Sequence, residues 1–187
     1  LNDGQFLFDV KEVGAGFIAG VSREEFVLLP KKGINLPGSI YDEDRQASVY
    51  ENFIDLIEHL DVDALGLSFV QASEVIERIR AKRPKLILIS KIENSEGLKN
   101  CCDIAARSDA VMIDRGDLIA EIGYENLFPG VEQISRATKA CGKPLIMATE
   151  NLESMLERDM PSKSEVMSLS HSASIGVDCF MLSEETA

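Results

Sequence analysis
The sequence predicts an α/β protein built on a parallel sheet, and three observations predict it. Apolar runs at residues 63–69, 86–90, 109–113, 144–148 and 178–182 are short and nearly continuous, as strands buried on both faces require. Segments with apolar residues at helical spacing separate these runs, each of roughly the length of a βα unit. No glycine-rich GxGxxG turn follows any of the runs, which weakens a dinucleotide-binding reading. Five strands alternating with helices fit either an open doubly wound sheet or part of a (β/α) barrel, and periodicity does not choose between them.

Taken in order, residues 17–21 and 26–29 predict two short strands around the polar turn Ser22-Arg23-Glu24-Glu25. The stretch 30–38 is rich in proline, glycine and charge and reads as a connection. A domain boundary is placed there, with 1–38 as the end of a small β domain and its return linker, and 39–187 as the α/β portion. Val49, Phe53, Leu56, Ile57 and Leu60 recur at helical spacing and predict a helix before the first sheet strand. Further helices are predicted over 73–82, 125–141 and 164–174. Gly142 reads as the stop of the middle one, with Lys139 in its last turn and Pro144 beyond.

Composition narrows the classes of function. A chain of 187 residues that is 45% hydrophobic can bury one core, which excludes intrinsic disorder. Its net charge of −13 has the wrong sign for binding nucleic-acid phosphates, so no nucleic-acid partner is expected. No apolar run reaches the roughly 18 to 20 residues of a membrane-spanning helix, and there is no signal-peptide pattern. No membrane partner is expected, and the protein is read as cytoplasmic. Cys101, Cys102, Cys141 and Cys179 form no CxxC pair and are expected to be buried free thiols. His59 is expected to be solvated, and His171 is not assigned to catalysis. The chain starts at Leu1 and stops directly after Met181-Leu182-Ser183-Glu184-Glu185-Thr186-Ala187, and is expected to be part of a longer polypeptide.

The chemistry is expected where strands end. Lys91 and Glu93 follow the run 86–90 and alternate onto one side, pointing into one mouth. Asp114-Arg115-Gly116-Asp117 follows the next run, Thr149-Glu150 the one after, and Ser183-Glu184-Glu185 the last. Glu93 and Asp117 suit a divalent hard cation, magnesium or manganese, that takes its remaining ligands from substrate oxygens. Lys91 beside them could neutralise a transferring phosphoryl group or a developing enolate oxygen. Gly116 lets backbone approach a ligand, and the amides of Gly116 and Asp117 could hold a substrate carboxylate. Lys-x-Glu and Arg-Gly-Asp each occur by chance on charged loops. Their placement with Thr149 on three neighbouring strand ends is what favours a functional reading.

The order of motifs then becomes specific. Lys-Lys-Gly-Ile-Asn-Leu-Pro-Gly at 31–38, Ile-Ser-Lys-Ile-Glu-Asn at 89–94, Arg-Gly-Asp-Leu at 115–118, Ala-Thr-x-x-Leu-Glu-Ser-Met at 148–155 and Met-Leu-Ser-x-Glu-Thr-Ala at 181–187 resemble pyruvate kinase. The similarity runs from about Gly16 to Ala187. It implies the last five βα units of a (β/α)8 TIM barrel, preceded by the end of a small β-rich inserted lid domain. Carried over by position, it implies Lys91 as the catalytic lysine at the transferred phosphoryl group and Glu93 and Asp117 as ligands of Mg2+ or Mn2+. Gly116 and Asp117 would supply the amides for the substrate carboxylate, and Thr149 would be the catalytic threonine at the proton-accepting face of the enolate. The implied reaction is phosphoenolpyruvate plus ADP to pyruvate plus ATP, in glycolysis, by a homo-oligomer, a tetramer by resemblance. K+ is implied too, at a site mostly outside this chain.

The sequence departs from the family pattern at five positions. Asp114 replaces alanine, Glu150 glutamine, Gln71 arginine or lysine, Lys163 arginine and Glu184 glycine. Three of these add negative charge and are expected to repel anionic substrates. Two further readings follow, a degenerate paralogue with a binding or regulatory role and a metal-dependent aldolase or lyase acting on pyruvate enolate. Without the first three barrel strands the segment alone is expected to be inactive.

Overall fold
A computed structural model describes residues 6–27, 33–57, 59–183 and 185. Leu28, Leu29, Lys31, Lys32, Glu184, Thr186 and Ala187, which carry parts of the expectations above, lie outside the described residues.

Strands β1 (Phe8–Gly14) and β2 (Phe17–Ser22) form an antiparallel hairpin. Gly16, at φ +86°, occupies the two-residue turn in a conformation that favours glycine. The strand expected over 17–21 is therefore present, but its partner precedes it rather than following it. Phe26 and Val27 are irregular, and Phe26 stacks on Phe6 at 4.3 Å and meets Phe8 edge-on at 5.5 Å.

A five-stranded, wholly parallel sheet follows, made of β3 (Ala64–Leu67), β4 (Ile87–Ile92), β5 (Ala110–Asp114), β6 (Leu145–Ala148) and β7 (Cys179–Phe180). Each strand lies beside its chain neighbour, in the order β3-β4-β5-β6-β7, with none of the order reversal of a doubly wound sheet. All five runs of the sequence are strands, although β4 extends two residues further than its apolar run and so contains Lys91.

Helices α1 (Glu43–Leu56), α2 (Ser73–Lys82), α6 (Tyr124–Ala140) and α7 (Lys163–Ser174) match the predicted periodic segments. Helices α3 (Ser95–Lys99), α4 (Cys101–Arg107) and α5 (Arg115–Ile122) are too short for periodicity to reveal. Local caps start several of them. Asp42 accepts from Arg45 N, Asn94 from Gly97 N, and Ser162 and Glu165 form a reciprocal capping box on α7. Gly142, at φ +66°, lies one residue past the C-cap of α6, as the sequence predicts.

Strand alternation divides the sheet into two faces. Leu88, Ile92, Val111, Ile113, Leu145 and Met147 are wholly buried and merge with Ile76, Ile79, Ile104 and Ile134 of the helices into one core. Each such side chain contributes about 1.5–3 kcal/mol of burial. Acids pin the N-terminal ends of two strands. Asp109 Oδ2 accepts from Leu88 N at 2.8 Å and Arg80 at 2.7 Å, and Asp178 Oδ2 from Leu145 N at 2.7 Å and from Lys139. The cysteines are free, but only Cys101 is buried; Cys102 and Cys179 are exposed and Cys141 is half-buried, a correction to the sequence expectation. Among the described residues no helix is long and apolar enough to cross a membrane.

Candidate active site
The parallel register builds the site. Lys91 pairs with Met112 and Asp114 with Ala148, so alternation sets Lys91 and Asp114 on the face opposite the helical core. Lys91 Nζ lies 2.5 Å from Glu93 Oε1, 3.2 Å from Asp114 Oδ2 and 3.5 Å from Ser68 Oγ. Glu93, just past β4, is wholly buried, and its Oε2 accepts from Phe69 N at 2.5 Å. Its Oε1 has the Lys91 ion pair but no hydrogen bond of good geometry. Burial pushes the Glu93 carboxyl up to about 7, against the pull of Lys91 and of the Phe69 amide. Burial lowers the Lys91 ammonium, but its pairs with Glu93 and Asp114 outweigh that and hold it above the ordinary lysine value.

Asp117 stands in the first turn of α5 and accepts from Asn35 Nδ2 at 2.8 Å, which ties the linker to the site. One carboxylate oxygen each from Glu93, Asp114 and Asp117 lie within 4.8 Å of one another. Thr149, directly after β6, faces this group. Its hydroxyl is 3.1 Å from Asp114 Oδ1 and 2.7 Å from Ala148 O, and it accepts from Gly116 N at 3.1 Å. A hydroxyl has one proton, so Asp114 and the Ala148 carbonyl share it. Thr149 sits at φ +61° and Phe69 at φ +55°, a costly conformation for such side chains and one that clusters at functional sites.

Arg115 braces the strand ends. It donates to Thr149 O at 2.5 Å, Asn151 Oδ1 at 2.8 Å and Ser168 Oγ at 3.2 Å, and burial lowers its pKa. Asn151 in turn donates to Met147 O and Met181 O, joining the ends of β6 and β7. Gln71, one of the five departures, is buried and bonds Ser39 O and Tyr41 N, each at 3.0 Å. It anchors the linker to the end of β3.

Lys91, Glu93, Gly116, Asp117 and Thr149 therefore converge at the C-terminal ends of β4, β5 and β6. His171 does not join them, since it is exposed and packs on Phe128 at 5.4 Å; His59 and Lys163 are exposed as well. Sequence reasoning missed Ser68 and Asn35 and treated Asp114 only as a source of repulsion. The signal for Asp114 was its parity with Met112, which faces Lys91 across the ladder.

The donor set fits a divalent hard cation. Three carboxylates converge, each offering one oxygen within 4.8 Å of the others, and carboxylate oxygens suit magnesium, manganese or calcium. Fold and site together define a parallel α/β protein with an acidic, lysine-bearing cluster at its strand ends.

The family model described as pyruvate kinase, barrel domain, matches residues 1–187. The chain belongs to the pyruvate kinase family. It is 33% identical to a pyruvate kinase of Hypocrea jecorina, covering all of this chain and 36% of that protein. It is 34% identical to pyruvate kinase PKLR of Homo sapiens, over all of this chain and 33% of that protein. A probable cytosolic pyruvate kinase isozyme of Arabidopsis thaliana is 36% identical over 84% of this chain and 33% of its own length. The chain spans about a third of the length of the curated relatives it matches.

Proposed function
We propose that the protein is a pyruvate kinase-type phosphotransferase that converts phosphoenolpyruvate and ADP to pyruvate and ATP in glycolysis. The observation that carries this is the Lys91 ammonium held at the strand ends between Glu93 and Asp114, with Thr149 facing the same carboxylates. In this reading β3–β7 are the last five strands of a (β/α)8 barrel, and residues 1–38 are the end of an inserted lid with its return linker. The sequential strand order supports it. The protein is assigned to the cytosol, as a homo-oligomer that uses Mg2+ or Mn2+ together with K+.

Glu93 and Asp117 would hold the divalent cation, which supplies Lewis-acid stabilisation of phosphoryl and enolate oxygens. Lys91 Nζ, with three donors, neutralises charge on the phosphoryl group as its bond to the enol oxygen breaks and its bond to an ADP phosphate oxygen forms. The amides of Gly116 and Asp117, at the start of α5, receive the substrate carboxylate. Gly116 N then exchanges its bond to Thr149 Oγ1 for the ligand. Thr149 is thereby left to orient, and to pass a proton toward, the methylene carbon of the enolate.

A second reading, a binding paralogue without turnover, is favoured by Asp114, whose carboxylate faces Lys91 and adds to the negative charge of the site. Pyruvate formation by the natural full-length protein decides between the two. Turnover that needs ADP and a divalent ion supports the phosphotransferase; a folded protein with none under those conditions supports the paralogue.

A further inference from the structure
We propose that Asp114 is a third anionic ligand of the divalent cation, which strengthens cation binding and weakens the binding of phosphoenolpyruvate. The inference rests on the cation site of the phosphotransferase reading and goes beyond the pair Glu93 and Asp117. Asp114 closes β5, is 7% exposed, and adjoins the wholly buried Ile113, so its carboxylate is held by packing rather than free to swing into water. Its oxygens are directed at the site. Oδ2 faces Lys91 Nζ at 3.2 Å, Oδ1 faces the Thr149 hydroxyl at 3.1 Å, and one oxygen lies within 4.8 Å of carboxylate oxygens of both Glu93 and Asp117. Alanine, which the family pattern has here, would leave two carboxylates.

The charge count gives the consequence. Two carboxylates and the Lys91 ammonium carry a formal charge of −1, which a divalent cation turns to +1, attractive to an anionic substrate. With Asp114 the same groups carry −2, and the loaded site is neutral. Cation affinity rises with the number of charged ligands, while an anion loses the local positive field. Both effects act at one residue and in opposite directions.

The test is calorimetric titration of the natural full-length protein with Mn2+ alone, then with phosphoenolpyruvate at saturating Mn2+, for the parent, Asp114→Asn, Asp114→Ala and Glu93→Gln. Asp114→Asn is nearly isosteric, and circular dichroism checks that each variant is folded. Both Asp114 variants should weaken Mn2+ binding about tenfold or more and tighten phosphoenolpyruvate several-fold, while Glu93→Gln should lose Mn2+ binding. Mn2+ affinity within about twofold of the parent in both Asp114 variants, with Glu93→Gln defective, overturns the role of Asp114 and leaves the cation site standing. Weakened Mn2+ with phosphoenolpyruvate unchanged overturns the effect on substrate. No Mn2+ binding by the parent overturns both the role and the site.

Discussion
The hairpin β1–β2 and the sheet β3–β7 use similar residues with opposite results. Val13, Phe17 and Ile18 of the hairpin are 72%, 52% and 55% exposed, whereas all five residues of β5 are buried. In both regions a ladder pairs neighbouring strands. Among the described residues, helices pack into one core with the sheet and none joins the hairpin to it, and a two-stranded ribbon without a second layer is marginal in water. The difference teaches where side-chain positions are fixed. Lys91 and Asp114 adjoin the wholly buried Ile92 and Ile113, so the sheet core sets the geometry of the rim above it.

The comparison can be broken by substitution. In the 187-residue chain, Ile113→Ala should cost about 2–5 kcal/mol in urea unfolding, as a lost core side chain does. Val13→Ser should stay within about 0.5 kcal/mol. Equal costs at the two positions would mean that the hairpin is packed as tightly as the sheet. A smaller effect sharpens the picture within the helical layer, because Ser162→Ala removes one arm of the α7 capping box and should cost about 0.5–2 kcal/mol.

The smallest effect is electrostatic. The hydroxyl and amide of Ser154, with those of Ser162, hold the Glu165 carboxyl down to about 2, below its unfolded value of about 4.3. A depressed carboxylate stabilises the fold above its unfolded pKa and loses that contribution as pH falls toward 2. The melting temperature of the parent should therefore fall more steeply than that of Glu165→Gln between about pH 4.5 and 2. Parallel curves would remove Glu165 from the account.

Much of the sheet was legible because buried parallel strands are written as apolar runs, and the parity of Lys91 and Glu93 anticipated that the two side chains meet. The first hairpin strand was not legible. Phe8, Val10 and Val13 break strict alternation, and the structure shows the cause, a register shift between Val10 and Glu12. Helix α5 begins at the residue after β5 and was not among the predicted helices, since eight residues give periodicity little to work with. Asp114 was judged by charge alone, and its partner Lys91 lies 23 positions away, in contact only once β4 and β5 pair. Gln71 was noted only as a departure from the family pattern, yet it is a buried anchor whose partners are Ser39 and Tyr41.

The central claim is that the ends of β4, β5 and β6 form one phosphotransfer site around Lys91. The most direct measurement is pyruvate formation from phosphoenolpyruvate and ADP by the natural full-length protein and its Lys91→Met variant, with magnesium and potassium present. The predicted result is a fall in kcat of about 10²–10³, as for loss of one group that stabilises transition-state charge, in a variant that circular dichroism shows to be folded. Undiminished kcat in a folded Lys91→Met variant would contradict the claim.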